Sequence, residues 1–452
     1  MKNRYPKNDL NPQNRVGFHY YQDTLHYSQR DLQIWLPYLL DVGASWLVLI
    51  SETGRAIPEN FITGLINAGI SPIIQFQTSL AKPPAAEEVS PLIEAYVHWG
   101  VKYIQFFDRP NARSAWPAGT WTQQDLVERF LDRYLPLANV VVRHGGYPVL
   151  PPLDPGGNFW DTAFLRSTLS AMERRKQSHI LHSLVLSAYA WTLQHPLDWG
   201  KGGPECWPDS RPYFTPADSQ DQRGFHIFDW YEAIAQAVLH RKLPIILLQS
   251  GLPGHATQVT QKQILSAEYL EDIRKILQTA QNNLAAVLPS SNNAESAVGS
   301  LSFPSEVISS NFWLLAAESS SPYVNQAWFV DEDPALAIAE ELAEFNPAVS
   351  KADFTPAFMD ENFFKKITHP VNRYLLLPED DLPQLGRWLT RLLPFIHKNN
   401  PTIGFSLEEA SLAAHVMVAG DSRIFTEDHL DQLRKRGCKV ERINENGITF
   451  AS

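Results

Sequence analysis

The chain is short of cysteine: among 452 residues only Cys206 and Cys438 occur, far apart. Two isolated thiols exclude a disulfide framework and a thiolate metal site with its close ligand spacing. Positive charge is short too. Lys and Arg total 38 against 49 Asp and Glu, which gives a net charge of −11 and a pI near 5.7. A nucleic-acid binder needs a basic footprint to neutralise phosphates, so that class is excluded. No apolar run approaches the ~18 residues of a membrane span. The opening MKNRYPKNDLNPQNR lacks the apolar stretch of a signal peptide. The expectation is therefore a soluble cytoplasmic protein with no membrane span, no metal and no cofactor. Export by a route without a sequence signal stays open. No G-x-G-x-x-G follows the first apolar run, so the main mark of a dinucleotide-binding fold is missing.

What is present is a large core, with 44% hydrophobic residues, arranged as a repeating pattern. Short apolar runs occur at 16–21, 45–51, 71–77, 101–107, 139–142, 183–191, 243–249 and 325–330. Amphipathic stretches separate them, such as DLQIWLPYLLDVG ending on Gly43 and ENFITGLINAG ending on Gly69, glycines placed as helix C-terminal residues should be. Alternation of this kind implies a parallel sheet with right-handed crossovers. Strands apolar throughout imply burial on both faces. Eight units over residues 16–345 predict a (β/α)8 TIM barrel of class α/β, with an open doubly wound sheet as the rival. A Pro-, Gly- and Trp-rich stretch at 192–224 reads as a long loop on the working face. The Asn- and Ser-rich stretch at 281–322 reads as an extended connection before the eighth strand. Around the barrel the sequence predicts an N-terminal polar segment at 1–15, a linker at 346–370 and a small α/β domain at 371–452. In that domain Thr426, followed by Glu427 and Asp428, marks a helix start.

Several segments carry a resemblance. LLDVGASWLVL at 39–49, YIQFFDRPN at 103–111, SLVLSAYAW at 183–191, LPIILLQSGLPG at 243–254 and NQAWFV at 325–330 follow one another in the order and spacing of the clan A glycoside hydrolases. The barrel resembles that clan over roughly residues 16–335, and the resemblance implies a sugar site at the barrel mouth. HVMVAG with FTEDHLDQLRKRGCKVERI, near the C-terminus, looks like half of a cell-wall-binding repeat.

A retaining glycosidase needs two carboxyl groups about 5 Å apart, one as general acid and one as nucleophile. Carried over from the resemblance, the acid position is Arg109, preceded by Asp108, and the nucleophile position is Gln249. Arginine keeps its charge near pH 7 and cannot cycle a proton. An amide neither attacks an anomeric carbon nor steadies an oxocarbenium-like state. Sliding the seventh strand does not help, since no Asp or Glu lies between Arg241 and Lys262. Two further polar positions of the clan fall on Ser187 and near Val48.

The primary expectation is thus a pseudo-glycosidase with no catalytic residues, a carbohydrate-binding or assembly module. Its mouth would meet a glycan or a protein partner, and self-association remains open. Tyr21, Arg109, Asn111, Tyr189, Trp191, Gln249 and Trp328 are the candidate ligand contacts, with His19 and Tyr20 beside Tyr21. The first alternative is a working hydrolase with relocated carboxylates, Asp108 with Glu52, Asp154 or Asp331. The second is an interaction protein with no small ligand. Glu205, Glu332, Asp333 and His144 read more simply as polar rim or loop residues.

Overall fold

The computed structural model describes residues 14–252, 267–282, 301–335, 339, 371–378, 382–399, 401–419 and 424–443. The chain divides into two compact units, Met1–Ala348 and Val349–Ser452. Residues 1–13 of the polar segment and the expected linker at 346–370 lie outside the described residues.

In the first unit the parallel strands are β1 (Val16–His19), β2 (Trp46–Ser51), β3 (Ser71–Phe76), β4 (Tyr103–Phe106), β5 (Tyr147–Val149), β6 (Leu186–Trp191), β7 (Ile245–Gly251) and β8 (Val307–Phe312). Their order is β5-β4-β3-β2-β1-β8-β7-β6. A parallel bridge between Val149 and Val185 joins the two outer strands and completes the ring. There Leu150 N donates to the Val185 carbonyl at 2.8 Å, and Val185 N to that of Pro148 at 3.1 Å. This is the expected (β/α)8 barrel. Its interior is filled by Trp46, Val48, Ile73, Tyr103, Tyr189 and Leu248 among others.

The first helix, α1 (Gln29–Asp41), shows how local sequence sets an element. Ser28 Oγ accepts from Asp31 N at 3.2 Å, while the Asp31 carboxylate accepts from Ser28 N at 2.7 Å, a reciprocal cap. Leu32, Trp35, Leu36 and Leu39 form one buried stripe. Gly43, at φ 68°, turns the chain into β2.

Two strands are not where the apolar runs predict them. After the helices α2 (Glu59–Asn67) and α3 (Ala86–His98), NVVV at 139–142 belongs to α4 (Leu126–Arg143). The helix buries Phe130, Leu131, Tyr134, Leu137, Val140 and Val141 at helical spacing, so that periodicity outweighs the β-branched run. The fifth strand is the three-residue Tyr147–Val149, after Gly145 and Gly146. The eighth strand is Val307–Phe312, inside the stretch read as a connection. Its Ser309, Ser310 and Asn311 hide the hydrophobic pattern, yet all three are buried. Ser310 Oγ lies 2.8 Å from Ser250 Oγ, and Asn311 Nδ2 donates to the Leu247 carbonyl at 2.8 Å. Residues 325–330 instead make part of a turn and strand β10 (Phe329–Val330), which pairs with β9 (Ala316–Ala317) and β11 (Asp333–Pro334) in a small side sheet.

The second unit is a parallel sheet of β12 (Val371–Leu376), β13 (Thr402–Gly404), β14 (Ala413–Ala419) and β15 (Lys439–Ile443), ordered β13-β12-β14-β15. One face packs Tyr374, Leu376, Val416 and Val418 on Leu430 and Leu433, and the other packs Leu375, Leu377 and Met417 on Leu392. The helix Glu427–Lys435 starts at Thr426 as expected. The Thr426 hydroxyl makes no capping bond, and the acidic first turn with Arg434 and Lys435 in the last complements the helix dipole.

Candidate functional site

The working face of a barrel is built where its strands end. After β4 the backbone enters the left-handed region twice, at Phe107 (φ 64°) and Arg109 (φ 44°). Such conformations are costly for side-chain-bearing residues and collect at functional sites. Two bonds hold this one: Phe107 N donates to Thr78 Oγ1 at 3.0 Å, and Arg109 N to the Pro152 carbonyl at 3.0 Å.

The turn brings Asp108, Arg109, Tyr189 and Asp154 into one electrostatic cluster. Tyr189 OH donates to Asp108 Oδ1 at 2.6 Å, and Arg109 Nε donates to Asp108 Oδ2 at 2.8 Å. Asp108 and Arg109 remain 32% and 35% exposed, so the pair meets solvent. Burial pushes the Tyr189 phenol well above its ordinary range, and the Asp108 charge adds to the effect. For Arg109 burial opposes the charge, but Asp108, Tyr189 and Asp154 outweigh it and hold the guanidinium above its usual value. Burial raises Asp154; Arg109 pulls it down and Asp108 pushes it up, and the net direction is upward.

The neighbouring aromatic and polar side chains are already partnered within the fold. The Tyr189 and Trp191 rings stack at 4.5 Å and 8°. Trp191 Nε1 donates to Gln249 Oε1 at 3.0 Å, and Gln249 is wholly buried. His19 Nε2 donates to the Leu248 carbonyl at 2.7 Å and packs on Trp313. Asn111 clasps the β5 loop. Its Nδ2 donates to the carbonyls of Asp154 and Phe159, both at 2.9 Å, and its Oδ1 accepts from Asp154 N at 2.8 Å. Asn111 is fully buried and occupied, which suits positioning rather than ligand contact.

Other expected residues are elsewhere. Trp328 is 1% exposed, edge-on to Phe18 at 4.9 Å and tilted against Phe312 at 5.5 Å, a packing residue. The aromatic that follows the true eighth strand is Trp313. Tyr21 is buried and stacked on His26 at 3.7 Å, and Tyr20 is buried next to it. Glu52 accepts from Thr24 Oγ1 at 2.9 Å in a cleft of about 230 Å³ whose lining includes none of the cluster residues. Asp331, at φ 47°, takes Ser319 N at 2.9 Å as a turn former, and Glu332 lies 3.7 Å from Arg30. Asp333 and Glu205 are exposed. Ser187 Oγ donates to the Leu150 carbonyl at 2.6 Å, and Val48 is interior packing. His144 closes α4, before β5 rather than after it, with Nε2 3.0 Å from Ser90 Oγ.

Two buried carboxylates escape a sequence reading, because nothing in their neighbours announces burial. Asp221 ties down the 192–224 loop by binding Arg223 and accepting from Thr215 Oγ1 at 2.7 Å. Burial opposes its charge, but these partners hold its carboxyl below the usual range. Asp161, the first residue of α5 (Asp161–Arg174), accepts from Gly156 N at 2.9 Å, Gln222 Nε2 at 2.8 Å and Tyr231 OH at 3.0 Å. Burial outweighs those bonds and raises its carboxyl from 3.8 to about 6. A raised folded value means stability present below the unfolded value and lost as pH climbs through the folded one. Asp161→Asn, which cannot ionise, is expected to be more stable than the native chain by roughly 2–3 kcal/mol at pH 7 relative to its difference at pH 4. Urea unfolding at both pH values checks this; a difference that does not change with pH removes the assigned ionisation.

The fold and mouth define a (β/α)8 barrel with a polar cluster on β4, β5 and β6. No family model matches the sequence, and no curated protein matches it. Among solved structures it is similar to a family 51 alpha-L-arabinofuranosidase from Bifidobacterium longum (8% identity, 72% of this chain and 70% of that one, TM-score 0.40). It is also similar to a GH128 endo-beta-1,3-glucanase from Sorangium cellulosum (9%, 75% and 100%, 0.37) and to a fructose-bisphosphate aldolase from Plasmodium falciparum (12%, 61% and 77%, 0.32). An aldolase stands beside the glycosidases, so this likeness carries no chemistry. Among the described residues no helix is long and apolar enough to cross a membrane.

Proposed function

We propose that the barrel binds a glycan at its mouth without cleaving it. The observation that carries this is Gln249: an uncharged amide, wholly buried and held by Trp191, at the position where the resemblance to the clan A glycoside hydrolases puts the nucleophile. Ligand contact then falls to the exposed pair. Asp108 offers acceptors and Arg109 donors side by side, which suits two neighbouring sugar hydroxyls.

The test is a glycan panel with binding and reducing-sugar release read in the same wells. Binding without release is expected, weakened about tenfold by Arg109→Ala, the loss of one charge-assisted bond. Unchanged binding in a folded Arg109→Ala protein removes the pair from the site.

A second reading has its own support. Asp154 is biased toward protonation by burial, and Asp108 stands in the same cluster, accepting hydrogen bonds from Tyr189 and Arg109. Release that disappears in both Asp108→Asn and Asp154→Asn would establish a hydrolase with relocated carboxylates in place of the binding module.

A further inference from the structure

The second unit carries a basic groove that the barrel reading does not use. Strand register pairs Arg373 of β12 with His415 of β14, and His415 with Lys439 of β15. Matched residues on neighbouring parallel strands point to the same face, and strands lie ~4.8 Å apart, so the three form a line about 10 Å long. The helix between β12 and β13 (Leu382–Asn399) brings Lys398 from its last turn. These side chains, with Phe395 and Met417, border a groove of about 570 Å³.

The charge there runs against the molecule. The protein is net −11, yet among its described lining residues the groove has Arg373, Lys398 and Lys439 against one carboxylate, Glu441, 3.3 Å from Lys439, with the His415 imidazole between Arg373 and Lys439. Folding accounts for only part of the set. Arg373 Nη1 donates to the Asn399 carbonyl at 3.1 Å, which uses one of the five N–H donors of a guanidinium. Lys439 stays 65% exposed. A concave wall that is mainly positive focuses its field into the groove, which favours an anion seated there. The row is longer than a single oxyanion; a chain with charge on each unit can meet every strand.

We propose that this groove binds a multiply charged oxyanion of the oligophosphate type, laid across β12, β14 and β15. Its phosphoryl oxygens take the Arg373 fork and the Lys439 and Lys398 ammonium groups.

The test is calorimetric titration of the full chain with sodium tripolyphosphate, orthophosphate and citrate at low salt. Tripolyphosphate is expected to bind at least about tenfold more tightly than orthophosphate or citrate, and more weakly as salt rises. Arg373→Gln and Lys439→Gln are each expected to weaken it about tenfold, one charge-assisted contact apiece. Lys398→Gln paired with Lys439→Gln changes only exposed ends, and an unchanged melting midpoint shows that the fold survives. Absence of binding, equal affinity for orthophosphate, or full affinity in the Lys398→Gln, Lys439→Gln chain each overturns the proposal. Citrate binding as tightly as tripolyphosphate overturns the assignment to phosphate.

Discussion

Gly17→Ala is expected to cost the barrel about 3–5 kcal/mol, enough to leave many domains partly unfolded. Register places Gly17 beside Trp46 on one side and Asn311 on the other. A methyl group at Gly17 would stand 2.1 Å from Asn311 Oδ1 and 2.7 Å from Trp46 Cβ. Asn311 cannot swing aside without giving up the Leu247 carbonyl and Ser309 Oγ, which its Nδ2 reaches at 2.8 and 3.1 Å. Overpacking and a stranded buried amide therefore add. Denaturant unfolding monitored by tryptophan fluorescence measures it. A loss below about 1 kcal/mol would mean that β1 and β8 do not meet in this register.

Asn111→Ala is the second large effect, with about 2–3 kcal/mol lost, because the Phe159 carbonyl and Asp154 N–H lose their partner while the Asp154 carbonyl keeps only Gly157 N, at 2.9 Å. The residue joins the β4 and β5 loops, and the join is tight: a side chain on Gly157 would come within 2.7 Å of Asn111 Nδ2 and 3.0 Å of the Asp154 carbonyl. The expected consequence reaches the site, since Asp154 takes its place through its backbone bonds to Asn111. An Asn111→Ala protein of native stability in urea would show that the clasp is dispensable.

Much of the barrel is legible in the sequence, and the failures are instructive. WLVLIS and SPIIQF are strands in the structure because apolar runs buried on both faces leave little alternative. VISSNF was hidden because its serines and asparagine are polar in sequence, yet Ser310 and Asn311 are buried against partners on the neighbouring strand β7. NVVV misled because a local β-branched run carries less weight than a long helical stripe packed on the core. The candidate site divides likewise. Asp108 beside Arg109 is visible in sequence, but their junction with Tyr189, 81 positions away, is not. Trp328 and Trp313 are near neighbours in sequence, and only the placement of β8 decides that Trp328 is packing.

The sequence by itself determined the fold class, through a period of strand and helix that nothing but a parallel layered sheet can bury. It also determined that the seventh strand carries no carboxylate, since composition is independent of geometry. Tertiary structure alone decided which polar residues are spent on the fold and which face solvent. Gln249, Asn111 and Asp161 are buried and committed, while Asp108 and Arg109 are a third exposed. The physical reason is that a polar side chain has the same chemistry in either setting. Its role follows from whether its hydrogen bonds are already made within the fold, and those partners lie on elements that the chain brings together only when the ring closes.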